Sequence, residues 1–498
     1  MKTCLRHRAL SSDAYPHEFL RLIACLFCVA IFSPLVAQDY THPRNMALPA
    51  SAFERPDPLA HQVRLNNGLV GYIVEDHIVP MVTLTAYINA GSADAAKTGA
   101  AEALAYVLQN KGASSMYAGG FRITLENMAA EYSVNLTAEL LEIRLNVPAE
   151  DTWGALLLLA QALKEPDIGA DTIISLRNRA ARARNRPGAD SGYEGSLDEA
   201  VQRFKSHLFS GHPYGRKPSA TDFGALAVED VRAYQQSYLT PRNTVIAISG
   251  DFSAGDVRLA FEQSFQDWVS APKPKRPVIA AIDTATQRRV YAYDVDKLQA
   301  WLVLGHELPV VPLEDQASLE VMNYILGGGH FDTRLFRETR DKRGLTNDDS
   351  GFPEANWRGP GSYTFQTYGR PEVVHLLAEL TLKEIKRIRT EPVSDEELFV
   401  AKNALADGVF EMQFENGHTI AQTFAKEWLR YGNHAASASY RDRIRAVTAE
   451  MVRASAQKYL HPDRMQLVVL GPQSKIENAE YPEGGLRLQD FGEYVQAQ

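Results

Sequence analysis

The chain has 498 residues, too many for one small core, and its 45% hydrophobic and 23% charged content is that of a folded globular protein. A formal net charge of −9 argues against nucleic acid as a partner, because a phosphate backbone is met by an excess of Lys and Arg. All three cysteines (Cys4, Cys25, Cys28) fall within the first 37 residues, so the rest of the chain has neither a disulfide nor a catalytic thiol.

Those first residues read as a leader. A polar segment ending at Arg21 precedes an apolar run from Leu22 to Ala37, which Pro34 interrupts and which is short for a membrane span. Residues 1–37 are therefore expected to be a signal peptide, cleaved after Ala37, that directs the chain to the periplasm; an uncleaved anchor is the alternative. The leader carries four Lys/Arg and two Asp/Glu, so its removal leaves 48 basic and 59 acidic residues, a net charge of −11. No membrane span is expected in the mature chain.

After an N-terminal extension (38–60), alternating Val70, Tyr72, Val74 and then Val82, Leu84, Ala86, Ile88 flank a turn at Glu75–Pro80 and predict a strand pair. A short strand around Val134–Leu145 and a helix at Trp153–Leu163 follow. VEDVRAYQQSYLTPRNTVIAISGD, from Val228, reads as a helix, a Pro-punctuated turn and a buried strand. It recurs about 220 residues later as AEMVRASAQKYLHPDRMQLVVLGP, from Ala449, with Arg232/Arg453, Tyr238/Tyr459 and Pro241/Pro462 in register. Two homologous domains are expected, 61–270 and 289–475, joined by a Pro/Lys-rich linker at 271–288. The second half repeats the scheme. Strands are expected near Arg289–Val295 and Trp301–His306, a helix at Leu313–Leu326, a strand at Ser362–Tyr368 and a helix at Val373–Ile388, before a polar tail at 476–498. Strands followed by packed helices in each half give an α+β fold, taken twice.

Several strings in this order carry a resemblance. They are NGLVGYIVEDHIVP (Asn67–Pro80), GSADAAKTG (Gly91–Gly99), TGAAEALAYVLQNKG (Thr98–Gly112), GHPYG (Gly211–Gly215) and TRLFRETRDKRGL (Thr333–Leu345). Together they resemble the insulinase/pitrilysin family of zinc peptidases, of the mitochondrial processing peptidase type. The resemblance implies two homologous α/β sandwich domains closing on a clam-like cavity. It also implies a helix whose inverted HxxEH motif supplies two zinc ligands and a general base.

On that frame Glu102 and Tyr106 stand where the histidines belong, and Ala105 where the glutamate belongs. Two histidines four residues apart share one helical face and one metal, with the Glu between them activating the bound water. Ala105 accepts no proton, Tyr106 would ligate only as a phenolate, and one carboxylate is not a zinc site. Read without the family, Ala101, Leu104, Ala105 and Leu108 form an apolar stripe that packs. The family's third ligand is a Glu on a later helix. The corresponding segment, Ile173–Arg186, has no acidic residue and sets Arg177, Arg179, Arg182, Arg184 and Arg186 there, either against the metal position or on a solvated face.

In the second half, Arg340 matches an Arg that holds substrate in active relatives, while Asn347 stands at the position of its companion Tyr. Arg340 would grip a carbonyl or carboxylate through paired hydrogen bonds, or else pair with Glu338 or Asp341 as a surface residue. The edge strand near Asn135, Leu136 and Thr137 is expected to capture extended peptide by β-augmentation.

The resulting expectation is a non-catalytic homologue with no metal and no cofactor. It would bind peptide or unfolded polypeptide, or act as a scaffold, as the heterodimer partner of a zinc-bearing family member. Two alternatives stand beside it: an active zinc metalloendopeptidase with a rebuilt site, and a stand-alone periplasmic peptide-binding chaperone.

Overall fold

The computed structural model describes residues 53–117, 119–184, 196–282, 287–479 and 483–497. The expected leader and Arg186 lie outside the described residues. The first half contributes β1 (Gln62–Arg64), β2 (Val70–Glu75), β3 (Met81–Ile88), β4 (Glu131–Leu136), β5 (Leu141–Pro148) and β6 (Thr244–Gly250). They form one sheet in the order β1-β2-β6-β3-β5-β4. β2 and β6 run parallel, Val70 opposite Val245, and are apolar almost throughout because both faces of the sheet are covered there. β5, nearer the edge, alternates buried and half-buried residues instead. The expected short strand at Val134–Leu145 is in fact a hairpin. Thr137–Leu140 makes the turn, with the Thr137 N–H donating to the Leu140 carbonyl at 2.8 Å.

The second half gives β7 (Arg289–Asp294), β8 (Ala300–Leu308), β9 (Asp349–Glu354), β10 (Gly361–Gly369), β11 (Gln466–Gly471) and β12 (Glu493–Ala497), in the order β12-β7-β11-β8-β10-β9. This is the first sheet's arrangement with β12 in the place of β1. The segment expected to be a polar tail therefore belongs to the fold: β12 pairs parallel with β7, and Leu488 and Phe491 ahead of it are buried. A five-residue strand with two polar positions, Glu493 and Gln496, carries too little periodic signal to stand out in sequence. The helix expected at Leu313–Leu326 ends at Asn323, where the chain passes into a π-helical turn, Tyr324–Gly328.

Both halves belong to one compact unit, Phe53–Gln498, and they exchange helices. The Leu197–Leu208 helix, from the first half, lays Ala200, Phe204 and Leu208 on Val303, Val468 and Leu470 of the second sheet. The Gly417–Tyr431 helix, from the second half, lays Ala421, Phe424 and Ala425 on Tyr72, Tyr87 and Val245 of the first. Each sheet thus buries one face against helices of its own half and the other against a helix from across the molecule. Gly305 shows how tight this packing is: a Cβ there would lie 2.8 Å from the Phe204 ring and 2.4 Å from the Tyr363 carbonyl oxygen.

Candidate functional site

Glu102 and Ala105 lie on the Ala100–Asn110 helix, which starts after Gly99, a residue held at φ 96° where glycine is favoured. Ala101, Leu104 and Leu108 are buried in the first-half core together with Ala100, Ala103 and Val107. Ala105 departs from the expected stripe. It is half-buried and opens with Glu102 onto a cavity of about 670 Å³, as do Leu136, Lys205, Tyr214, Arg216 and Lys217. All of the lining residues come from the first half, but Gln202, Lys205 and Ser206 belong to the Leu197–Leu208 helix, which lies on the second sheet. Tyr106 is half-buried against the core and is not part of the lining.

Zinc needs His, Cys, Asp or Glu donors converging on one point. Of the cavity's lining only Glu102 qualifies, and among the described residues no three such groups are placed to hold a metal ion. Burial pushes the Glu102 carboxyl up from its ordinary value; backbone N–H groups of Glu102 and Gly99 and the Arg216 guanidinium act in the other direction. The donor set therefore does not fit a zinc ion. Of the arginines in Ile173–Arg186, Arg177, Arg179 and Arg182 are exposed on their helix. Those three are solvated, and the cations at the cavity come from elsewhere: Lys205, Arg216 and Lys217.

β4 is an edge of its sheet, as peptide capture requires, but much of that edge is already occupied. The Gln109 side chain, one turn past Ala105, donates to the Tyr132 carbonyl at 3.3 Å and accepts from the Val134 N–H at 2.7 Å. A side-chain amide thus mimics a neighbouring strand. Because outward and inward groups alternate along an antiparallel strand, Leu136 also presents its N–H and C=O outward, while Asn135 faces β5. Thr137 is used up in its turn, where its carbonyl accepts from Ser92 and its N–H goes to Leu140. Of the three expected edge residues, only Leu136 offers main-chain groups, beside the cavity it helps to line.

Arg340 and Asn347 are exposed and lie outside that lining. Arg340 sits in a π-helical turn, Arg337–Asp341, with its guanidinium over the rings of Phe336 (4.7 Å) and Phe331 (5.2 Å). It does not pair with Glu338, whose carboxylate is taken by Lys342 and Arg343. The same motif has a structural reason to persist. Buried Arg334 holds Glu397 through two hydrogen bonds of 2.7 and 2.9 Å; burial works to raise the Glu397 carboxyl, and Arg334 outweighs it, pulling it down to about 2.

Sequence patterns gave no hint of the groups that tie the cavity's wall to the second half. Glu139, 6% exposed, accepts the N–H groups of Trp357 (2.7 Å), Arg358 (2.9 Å) and Gly359 (3.1 Å) and the hydroxyl of Tyr214. Tyr214 belongs to the GHPYG string and its hydroxyl is raised first by burial and then by Glu139. Beside it, buried Asp94 accepts from Arg358 of the second half at 2.9 Å and from Arg276 of the connector. The Pro/Lys-rich connector is thereby anchored through a side chain that neighbours none of its partners in sequence.

Residues 225–405 match the peptidase M16 inactive domain. The chain is 27% identical over 281 residues to the uncharacterized zinc protease SCO5738 of Streptomyces coelicolor, a match covering 54% of this chain and 59% of that protein. It is 26% identical over 304 residues to the non-peptidase homolog YmxG of Helicobacter pylori, covering 60% of this chain and 67% of that one. The chain thus spans about 60% of the length of the first of these relatives. In fold it is similar to the crystal structure of a peptidase M16 inactive domain from Pseudomonas fluorescens, with a TM-score of 0.68 at 22% identity over 84% of this chain and 99% of that one. Over residues 225–405 in sequence, and in fold over most of the chain, this protein is therefore similar to the M16 peptidases and their inactive domains, in line with the resemblance its motifs carry.

Proposed function

We propose that this chain is a non-catalytic M16-type subunit, free of zinc and of any other cofactor. In this reading it holds extended polypeptide beside a zinc-bearing relative in the periplasm. One observation carries it. Where the resemblance puts the metal, Glu102 and Ala105 open on a cavity lined by one carboxylate and three cations. The name of the Helicobacter pylori relative, a non-peptidase homolog, supports the same direction. Leu136, with outward N–H and C=O groups at the mouth of the cavity, supports peptide capture by strand addition. The subunit role rests on the retained two-half architecture, and the compartment on the expected leader.

Two measurements test the reading. Elemental analysis of the mature chain purified without chelators is expected to find less than stoichiometric zinc; one zinc per chain, lost in Glu102→Ala, overturns it. The activity of a zinc-bearing relative from the same compartment is expected to rise when this chain is added. A relative that is fully active alone and sediments independently removes the subunit role.

A further inference from the structure

The cavity beside Glu102 carries charge of the wrong sign for a cation. Arg216 and Lys217 are exposed on its wall, and among the described residues neither forms an ion pair. Arg216 makes one hydrogen bond, to the Thr98 hydroxyl at 3.3 Å, and its charge also favours the ionised forms of Glu102 and Asp222. Lys205 is already paired with Glu354 at 2.6 Å, so it adds little net charge. Glu102, the one carboxylate in the lining, is half-buried at the end of an apolar face and disfavoured as an anion by that burial. Ser92 and Gln202 add neutral hydrogen-bond donors, and Leu136, Phe209 and Pro218 supply low-dielectric walls that concentrate the field of Arg216 and Lys217.

The outward main-chain groups of Leu136 lie on the rim of this same cavity. A strand added there would pass beside a cavity whose lining includes Arg216 and Lys217. Resting on the peptide-binding reading, we propose that the group this cavity receives is a peptide carboxylate, the chemistry shared by an Asp or Glu side chain and a free C terminus. Arg216 supplies a planar fork that matches a carboxylate through two parallel hydrogen bonds, and Lys217 a point charge beside it. The cavity's volume, about 670 Å³, is that of an ordinary ligand pocket and accommodates a terminal or side-chain carboxylate with its flanking residues.

The test uses the full mature chain and three short unstructured peptides that share one apolar core. One has acidic side chains and an amidated C terminus, one is neutral with a free C terminus, and one is neutral and amidated. Fluorescence anisotropy is expected to show one or both carboxylate peptides binding about tenfold tighter than the neutral amidated one, which is about 1.4 kcal/mol. The preference should shrink at high salt. Which carboxylate peptide gains identifies the source of the group. The double variant Arg216→Gln/Lys217→Gln is expected to abolish the preference, so that all three peptides bind it with similar affinity. Equal affinity for all three peptides overturns the carboxylate assignment and leaves peptide binding standing, as does a preference that survives the double variant. If no peptide binds, the peptide-binding reading fails and the assignment fails with it.

Discussion

Asp349 is 1% exposed in β9, and neither of its carboxylate oxygens has a hydrogen-bond partner. Burial pushes its carboxyl up to about 8, and the nearby Asp348 adds to the rise. The folded chain therefore holds a proton that the unfolded chain releases near its ordinary value of 3.8. A carboxyl raised on folding contributes stability below the unfolded value and loses it as pH climbs toward the folded one. Between about pH 4 and 8 the loss runs at up to ~1.4 kcal/mol per pH unit. Asp349→Asn is expected to remove that slope, so that its urea-unfolding free energy gains on the wild type steadily from pH 5 to pH 8. Parallel pH profiles for the two proteins would refute the buried-acid account. At this scale the sequence was informative where chemistry follows residue type: Glu102, Ala105 and Tyr106 are a poor zinc set wherever they point. It did not reveal Asp349, whose unusual state is created by its surroundings.

The Ala100–Asn110 helix and β4 act together as one element. Gln109 satisfies the Tyr132 carbonyl and the Val134 N–H, which blunts an edge that would otherwise invite pairing along most of its length. Gln109→Ala is expected to lengthen the open edge by those two groups. Peptide affinity by anisotropy should then rise about tenfold, at roughly 1 kcal/mol of net hydrogen bonding apiece and with part spent on ordering the ligand. Stability should fall by less than ~1 kcal/mol, because the freed groups meet water. Unchanged peptide affinity would place the peptide away from this edge. The existence of β2, β3, β6 and their second-half counterparts was legible from apolar runs ended by Gly and Pro. The hairpin at Glu131–Pro148 and the terminal strand β12 were not, since partly polar strands are stabilised mainly by the neighbours they pair with.

Across the whole molecule, Glu139 and Asp94 bind groups that lie up to 264 residues away in sequence and join the two halves at buried sites. Removing one partner from such a cluster strands the others without water. Glu139→Ala is therefore expected to cost about 3 kcal/mol. Because the halves share their cores through exchanged helices, the variant should still unfold in a single urea transition. A cost under ~1 kcal/mol, or two separated transitions, would show that the contacts seal an interface rather than hold it. The recurrence of the Val228 segment at Ala449, the two-sheet class and the residue types at Glu102, Ala105 and Tyr106 were legible from sequence alone, because apolar periodicity and residue chemistry are local properties. Only the tertiary structure decided that the halves trade helices, that Gln109 closes part of the edge, and that the cavity is cationic through Arg216 and Lys217 rather than through the arginines of Ile173–Arg186. Those outcomes depend on which distant surfaces meet, and a one-dimensional pattern carries no record of that.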